Sequence, residues 1–165
     1  MEQRELKIIE ETLKLYSKWG FNKVTMSDIA KTVGISRPTL YAVFPNKKSI
    51  FGRYVTSHFE QMEHETEKRL KFAKTQNERL QIIFEVWVIS PVSQAIKSKT
   101  GRDVIANCET YAPDAVKDMY DRIEKQIFQV LRFETKNIQK AKDIAKTLRF
   151  ATRMKFNTSF FSLIS

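Results

Sequence analysis

The sequence predicts an all-α fold: a small head of three helices over residues 1–50, carried on a larger helical body over residues 51–165. Three observations predict it. Glycine and proline are scarce, four of each in 165 residues, so little interrupts a helix. Apolar side chains recur every three or four positions instead of alternating. The apolar runs are also preceded by residues that cap helices, namely Thr25, Ser36 and Asn46. A hydrophobic share of 42% suffices for a packed core, which a chain of this length can bury without disulfides or metals.

A first helix is read over residues 4–19, with Leu6, Ile9, Leu13 and Tyr16 at helical spacing and Gly20 at its C-terminal end. Thr25 caps a second helix over about 26–32, and Asp28, three residues on, returns the hydrogen bond. This helix buries Ile29, Ala30 and Val33. Gly34 breaks it, Ile35 plugs the turn, and Ser36 caps a short third helix over about 37–43, whose first turn tolerates Pro38. Leu40, Val43 and Phe44 form its packing face. Asn46 then caps a long helix over about 47–74, a strut of roughly 40 Å with the stripe Phe51, Val55, Phe59, Met62, Thr66, Leu70 and Ala73. After Asn77 the pattern restarts with Leu80, Ile83, Phe84, Trp87 and Val88. Pro91 is expected to open a shorter helix to about Lys97, and Gly101 to break the chain again before a piece at 102–109. Pro113 begins a helix carrying Val116, Met119, Tyr120, Ile123, Ile127, Phe128 and Leu131. The last helix runs from about Asn137, with Ile138, Ala141, Ile144, Ala145 and Leu148 on one face, before the unusually apolar FNTSFFSLIS.

Composition narrows the function classes. A formal net charge of +10 attracts polyanions such as nucleic acid or anionic lipid. Cys108 is the only cysteine, which excludes an internal disulfide and a cysteine-based metal cluster, and it reads as a small apolar filler. The opening MEQRELKIIEE is too charged for a signal peptide, and no apolar run reaches the roughly 18 residues of a spanning helix. The expected compartment is the reducing cytoplasm, with no membrane partner. His58 and His64 stand six apart, a spacing that does not share a helix face, so no metal site is expected. Asp114, Asp118 and Asp121 are accompanied by Lys117, Arg122 and Lys125, the pattern of a solvated helix surface. No Gly-rich phosphate loop, nucleophile elbow or Ser/His/Asp set is present, so neither an enzyme nor a cofactor is expected. The basic stretch 136–155 reads as the solvated face of a packed helix.

The informative stretch is residues 25–47, TMSDIAKTVGISRPTLYAVFPNK. It reads as cap, short helix, glycine turn, cap, short helix, which is the pattern of a helix-turn-helix. In that arrangement the second helix must stay short and expose its N-terminal side chains to the DNA major groove. With Leu40 and Phe44 packing inward, Arg37, Thr39 and Tyr41 point out. Arg37 can donate to guanine or phosphate, Thr39 offers a hydroxyl and a methyl, and Tyr41 can donate to a phosphate oxygen. Thr25 and Lys47 stand at the starts of helices, where free N–H groups and the dipole attract phosphate, and Lys48 adds charge.

LYSKWGF at 15–21, TMSDIA at 25–30, VGIS at 33–36, TLY at 39–41 and FPNK at 44–47 together resemble the N-terminal domain of the TetR/AcrR family of transcriptional regulators, over Ile9 to Ile50. Pro38 stands where the family commonly has glycine, and Lys48 where an acidic residue is usual. The resemblance implies a ligand-responsive repressor that binds a palindromic double-stranded operator as a homodimer. The implied DNA-facing set is Thr25, Ser36, Arg37, Pro38, Thr39, Tyr41, Lys47 and Lys48. It also implies a cavity in the body for a small effector, for which Trp87, Tyr111 and Tyr120 are candidates because their polar tips can orient a ligand. The family dimerises through two C-terminal helices, and here FFSLIS follows soon after the first of these, leaving either a compact body or a truncated one. The rival reading is a helical ligand-binding or membrane-surface protein without specific DNA recognition.

Overall fold

The computed structural model describes residues 3–132, 135 and 137–156, with side chains as far as Ala151. Residues 157–165 of the apolar closing segment, Lys136, and the side chains of Arg153 and Lys155 lie outside the described residues. The described chain is helical throughout: α1 (Gln3–Trp19), α2 (Met26–Val33), α3 (Arg37–Val43), α4 (Lys47–Leu70), α5 (Gln76–Phe84), a π-helical turn (Glu85–Ile89), α6 (Ser90–Ala95), α7 (Lys99–Tyr111), α8 (Pro113–Leu131) and α9 (Ile138–Phe156).

The head forms where local signals agree. α1 buries Ile8, Ile9, Thr12 and Tyr16, while Leu6 is left exposed. Thr25 and Asp28 close a reciprocal capping box on α2. Gly34 ends α2 at φ +79°, a left-handed conformation that a side chain would strain. Its N–H and that of Ile35 both donate to Ala30 O. Ser36 caps α3, and Asn46 with Ser49 caps α4.

The body departs from the sequence reading at three places. α4 stops at Leu70, and a turn leads to Thr75, which caps α5 in a box with Glu78. Pro91 does not open a separate helix, because α5 runs on through the π-helical turn into α6. Proline lacks an N–H and crowds the carbonyl four residues back, and the extra residue of a π-turn carries the chain past it. Gly101 does not break the chain either, since it lies in the first turn of α7. A Cβ there would meet Ala95 Cα at 2.6 Å and Ala95 O at 2.7 Å, so this glycine permits α7 to start hard against the end of α6.

Two apolar cores result. Ile8, Ile29, Leu40, Ile50 and Val55 belong to the first, and Ile83, Trp87, Ile123, Ile127 and Ala145 to the second. α4 serves both, giving Phe51 and Val55 to the first and Met62 to the second, with Phe59 touching each. α7 also reaches the first core through Val104, Cys108 and Tyr111. The carboxylates of α8 act in packing: Arg122 pairs with Asp118 at 2.7 Å and with Glu63 of α4, and Arg149 of α9 pairs with Asp121 and Glu124.

Gly101→Ala should destabilise the fold by about 1–3 kcal/mol, because the methyl group has only backbone to push against. Gly52→Ala, where a Cβ meets nothing within 4 Å, should be neutral or stabilising by up to about 1 kcal/mol in a helix interior. Urea denaturation of the two variants checks the contrast.

Candidate nucleic-acid interface and effector cavity

α3 is seven residues long, and its inner side holds Leu40 at 0% exposure, followed by Phe44 at 4%. That anchorage turns Arg37, Pro38 and Tyr41 to solvent and leaves Thr39 half-buried. The hydroxyls of Ser36 and Thr39 share a hydrogen bond of 2.7 Å, and Ser36 Oγ accepts from the Thr39 N–H at 3.2 Å. At the start of α2, the Thr25 hydroxyl and N–H both donate to Asp28 Oδ2, at 2.6 and 2.9 Å. The hydroxyl bond first, and then the backbone bond, hold the Asp28 carboxyl below the usual range. With its hydrogen committed to Asp28, the Thr25 hydroxyl has only acceptor capacity left for a further partner.

The structure redirects the reading of Lys47. Its Nζ does not reach outward from the start of α4; it donates to the carbonyls of Phe21, Asn22 and Val24 at 2.8, 3.1 and 3.0 Å, and sits 4.8 Å from the centre of the Phe21 ring. An ammonium has three hydrogens, and all three have partners here. Lys47 is thus a clip between α4 and the loop joining α1 to α2, and its own carbonyl accepts from the Tyr16 hydroxyl at 3.2 Å. Lys48 is exposed beside it.

A cavity of about 210 Å³ opens among α4, the π-helical turn, α6, α7 and α8. Trp87 and Tyr120 line it. Trp87 Nε1 donates to Gln126 Oε1 at 2.8 Å, so the ring faces the cavity while its polar tip is committed elsewhere. Tyr111 lies outside the cavity: it stacks on Phe21 with ring centres 3.7 Å apart, and its hydroxyl donates to Asn22 Oδ1 at 2.9 Å. Its role is to join the body to the head, aided by a 2.5 Å bond between the hydroxyls of Ser17 and Thr100. The sequence reading missed Tyr54, His58 and Cys108 as lining residues. Tyr54 and His58 lie four apart beside the stripe Val55, Phe59 and Met62, a signal that helical spacing carried. Their rings are nearly parallel, and burial holds His58 below its ordinary value. Burial also pushes the Cys108 thiol up to about 12, in keeping with an inert filler.

Among the described residues no group of three or more His, Cys, Asp and Glu side chains is placed to hold a metal ion. No described helix is long and apolar enough to cross a membrane.

Two capped short helices joined by a glycine turn, with one edge of the second exposed, define a helix-turn-helix protein. Residues 8–54 match the family described as "Bacterial regulatory proteins, tetR family". The chain is 41% identical over 54 residues to the biofilm operon icaADBC HTH-type negative transcriptional regulator IcaR of Staphylococcus aureus (strain Newman), across 33% of this chain and 29% of that protein. It is 23% identical over 107 residues to the HTH-type transcriptional repressor ComR of Escherichia coli (strain K12), across 65% of this chain and 50% of the repressor. These matches span half or less of the curated relatives' length. Among solved structures, a TetR-like transcriptional regulator from Rhodococcus sp. RHA1 superposes with a TM-score of 0.60 at 20% identity, covering 93% of this chain and 81% of that one. Thermus thermophilus FadR, a TetR-family transcriptional repressor in complex with lauroyl-CoA, gives 0.59 at 15%, covering 87% and 76%. At such identities the structures attest the fold. Residues 8–54 are thus similar to the N-terminal DNA-binding part of the tetR family of bacterial regulatory proteins, and the described chain shares the fold of TetR-like regulators.

Lys47→Met takes a charged donor from three carbonyls and should lower the unfolding free energy by about 1–3 kcal/mol. Lys48→Ala, an exposed change, should stay within about 0.5 kcal/mol of the parent. Equal denaturation midpoints for the two variants would remove the clip.

Proposed function

We propose that the chain is a ligand-responsive repressor that binds a near-palindromic operator as a homodimer. The observation that carries the reading is the exposed edge of α3, bearing Arg37 and Tyr41, fixed by the burial of Leu40 and Phe44 beneath it. A seven-residue helix held in this way enters the major groove N-terminus first. Arg37 reads a base, guanine by preference, or grips a phosphate, while Thr39 and Tyr41 serve the backbone or a thymine methyl. Ser36 and Pro38 fix the start of α3, and Thr25 does the same for α2. Lys48 and the first-turn amides of α4 take a phosphate, the ammonium of Lys47 being held at home. Two heads of one dimer then occupy successive major grooves, roughly 34 Å apart. We place this activity in the cytoplasm, with residues 1–50 as the DNA-binding part and 51–165 as the part for effector and dimerisation.

The body supports a response to ligand because two elements are shared. α4 runs from the head to the cavity wall, where Tyr54, His58 and Phe59 face the space. α7 lines the same cavity with Val104, Ile105 and Cys108, and it holds the head through Thr100 and Tyr111. A ligand that fits one arrangement of these helices better than another biases where the head sits, and only that difference in affinity can release DNA.

Binding to a site selected from random DNA, followed by fluorescence anisotropy, tests the reading. Arg37→Ala should weaken the selected site by about 1–3 kcal/mol and random DNA far less. Equal losses would assign Arg37 to phosphate, and no selectable site at all would favour the ligand-binding rival. Lys48→Ala should reduce the slope of log affinity against log salt by about one; an unchanged slope would take Lys48 off the DNA.

A further inference from the structure

The cavity has a distinctive charge pattern for a chain with a net charge of +10. Among the described residues that line it, none is a lysine or arginine. Its depth is walled by apolar and aromatic groups, with Val55, Met62, Trp87, Val116, Met119 and Tyr120 all buried. The Trp87 indole N–H is already committed to Gln126. Two of the described lining residues are both polar and exposed, Gln94 of α6 and Glu109 of α7. Glu109 is the single acidic side chain among the described lining residues, and burial holds His58 below its ordinary value.

Building on the effector reading above, we infer that this cavity takes a compact, mainly apolar ligand of aromatic size that is uncharged or carries one positive charge toward Glu109, and that it rejects anions of the same shape. Volume sets the size class. At about 210 Å³ the space exceeds the roughly 150 Å³ of an apolar cavity that takes benzene, and falls short of the roughly 300 Å³ where drug-sized pockets begin. Charge sets the rest. An anion entering an apolar space without a cationic partner loses its hydration for nothing in return. A cation beside the exposed Glu109 keeps partial hydration, gains its carboxylate, and lies against aromatic faces that attract positive charge.

Three isosteres that differ only in charge test this: benzyltrimethylammonium, neopentylbenzene and benzylsulfonate. Trp87 is a built-in reporter once the exposed Trp19 is replaced in a Trp19→Phe variant, since these are the chain's two tryptophans. The cation and the neutral compound should change Trp87 emission saturably and raise the melting temperature, while the sulfonate does neither. Glu109→Gln, an exposed change, should weaken the cation about three- to fivefold and leave the neutral compound unaltered. Sulfonate binding as tight as the cation's, an absence of binding by all three, or an equal effect of Glu109→Gln on the cation and the neutral compound would overturn the inference. The assay reads binding alone. A probe that fills the cavity without altering DNA affinity would sink the effector reading and leave the cavity's chemistry standing.

Discussion

Leu40 and Phe44 hold α3 against the head, and the consequences of that contact reach further than its area suggests. A helix of seven residues is too short to be stable by itself, so its position is set by what its inner side buries. Fixing the inner side fixes the outer one. Arg37 and Tyr41 are presented to solvent at a defined angle because Leu40, one turn away, has nowhere else to go. The caps at Ser36 and Asn46 then set where α3 begins and where α4 departs. Each neighbouring feature of the head either supports this contact or depends on it.

The body relates to that head through two helices of different character. α4 is continuous with the head and contributes to both cores. α7 packs on the head core through Val104, Cys108 and Tyr111, and hydrogen bonds tie it there at Thr100 near its start and Tyr111 at its finish. Between those ends it forms a wall of the cavity. The π-helical turn adds to this, since it turns Trp87 into the cavity at the point where Pro91 would otherwise disrupt the helix.

How much of this was legible in the sequence follows from how local each signal is. Thr25 with Asp28, Ser36 with Thr39, and Asn46 with Ser49 are three residues apart, and all three caps were readable as spacing. The inward and outward sides of α3 followed from the same short range. Lys47 was misread because its carbonyl partners lie 23 to 26 residues earlier in the chain, and nothing near Lys47 announces them. Tyr111 was assigned to the cavity on its chemistry, yet its partner Asn22 is 89 residues away. Gly101 looked like a breaker because glycine usually is one, whereas its reason for being glycine is the backbone of Ala95 in a different helix. Thr75 and Glu78 form a local cap that was available but overlooked, since the apolar stripe of α4 ran on through Leu70 to Ala73 and hid the end of the helix.

The Lys47 clip separates two properties that a basic protein could easily confuse. Its partners are carbonyl dipoles at hydrogen-bond distance, not carboxylates, so neither mobile ions nor mild acid competes strongly for them. The DNA contacts proposed for Lys48 and Arg37 would rest on displaced counterions and fade as salt rises. A brine strong enough to strip such a duplex away would leave the head intact.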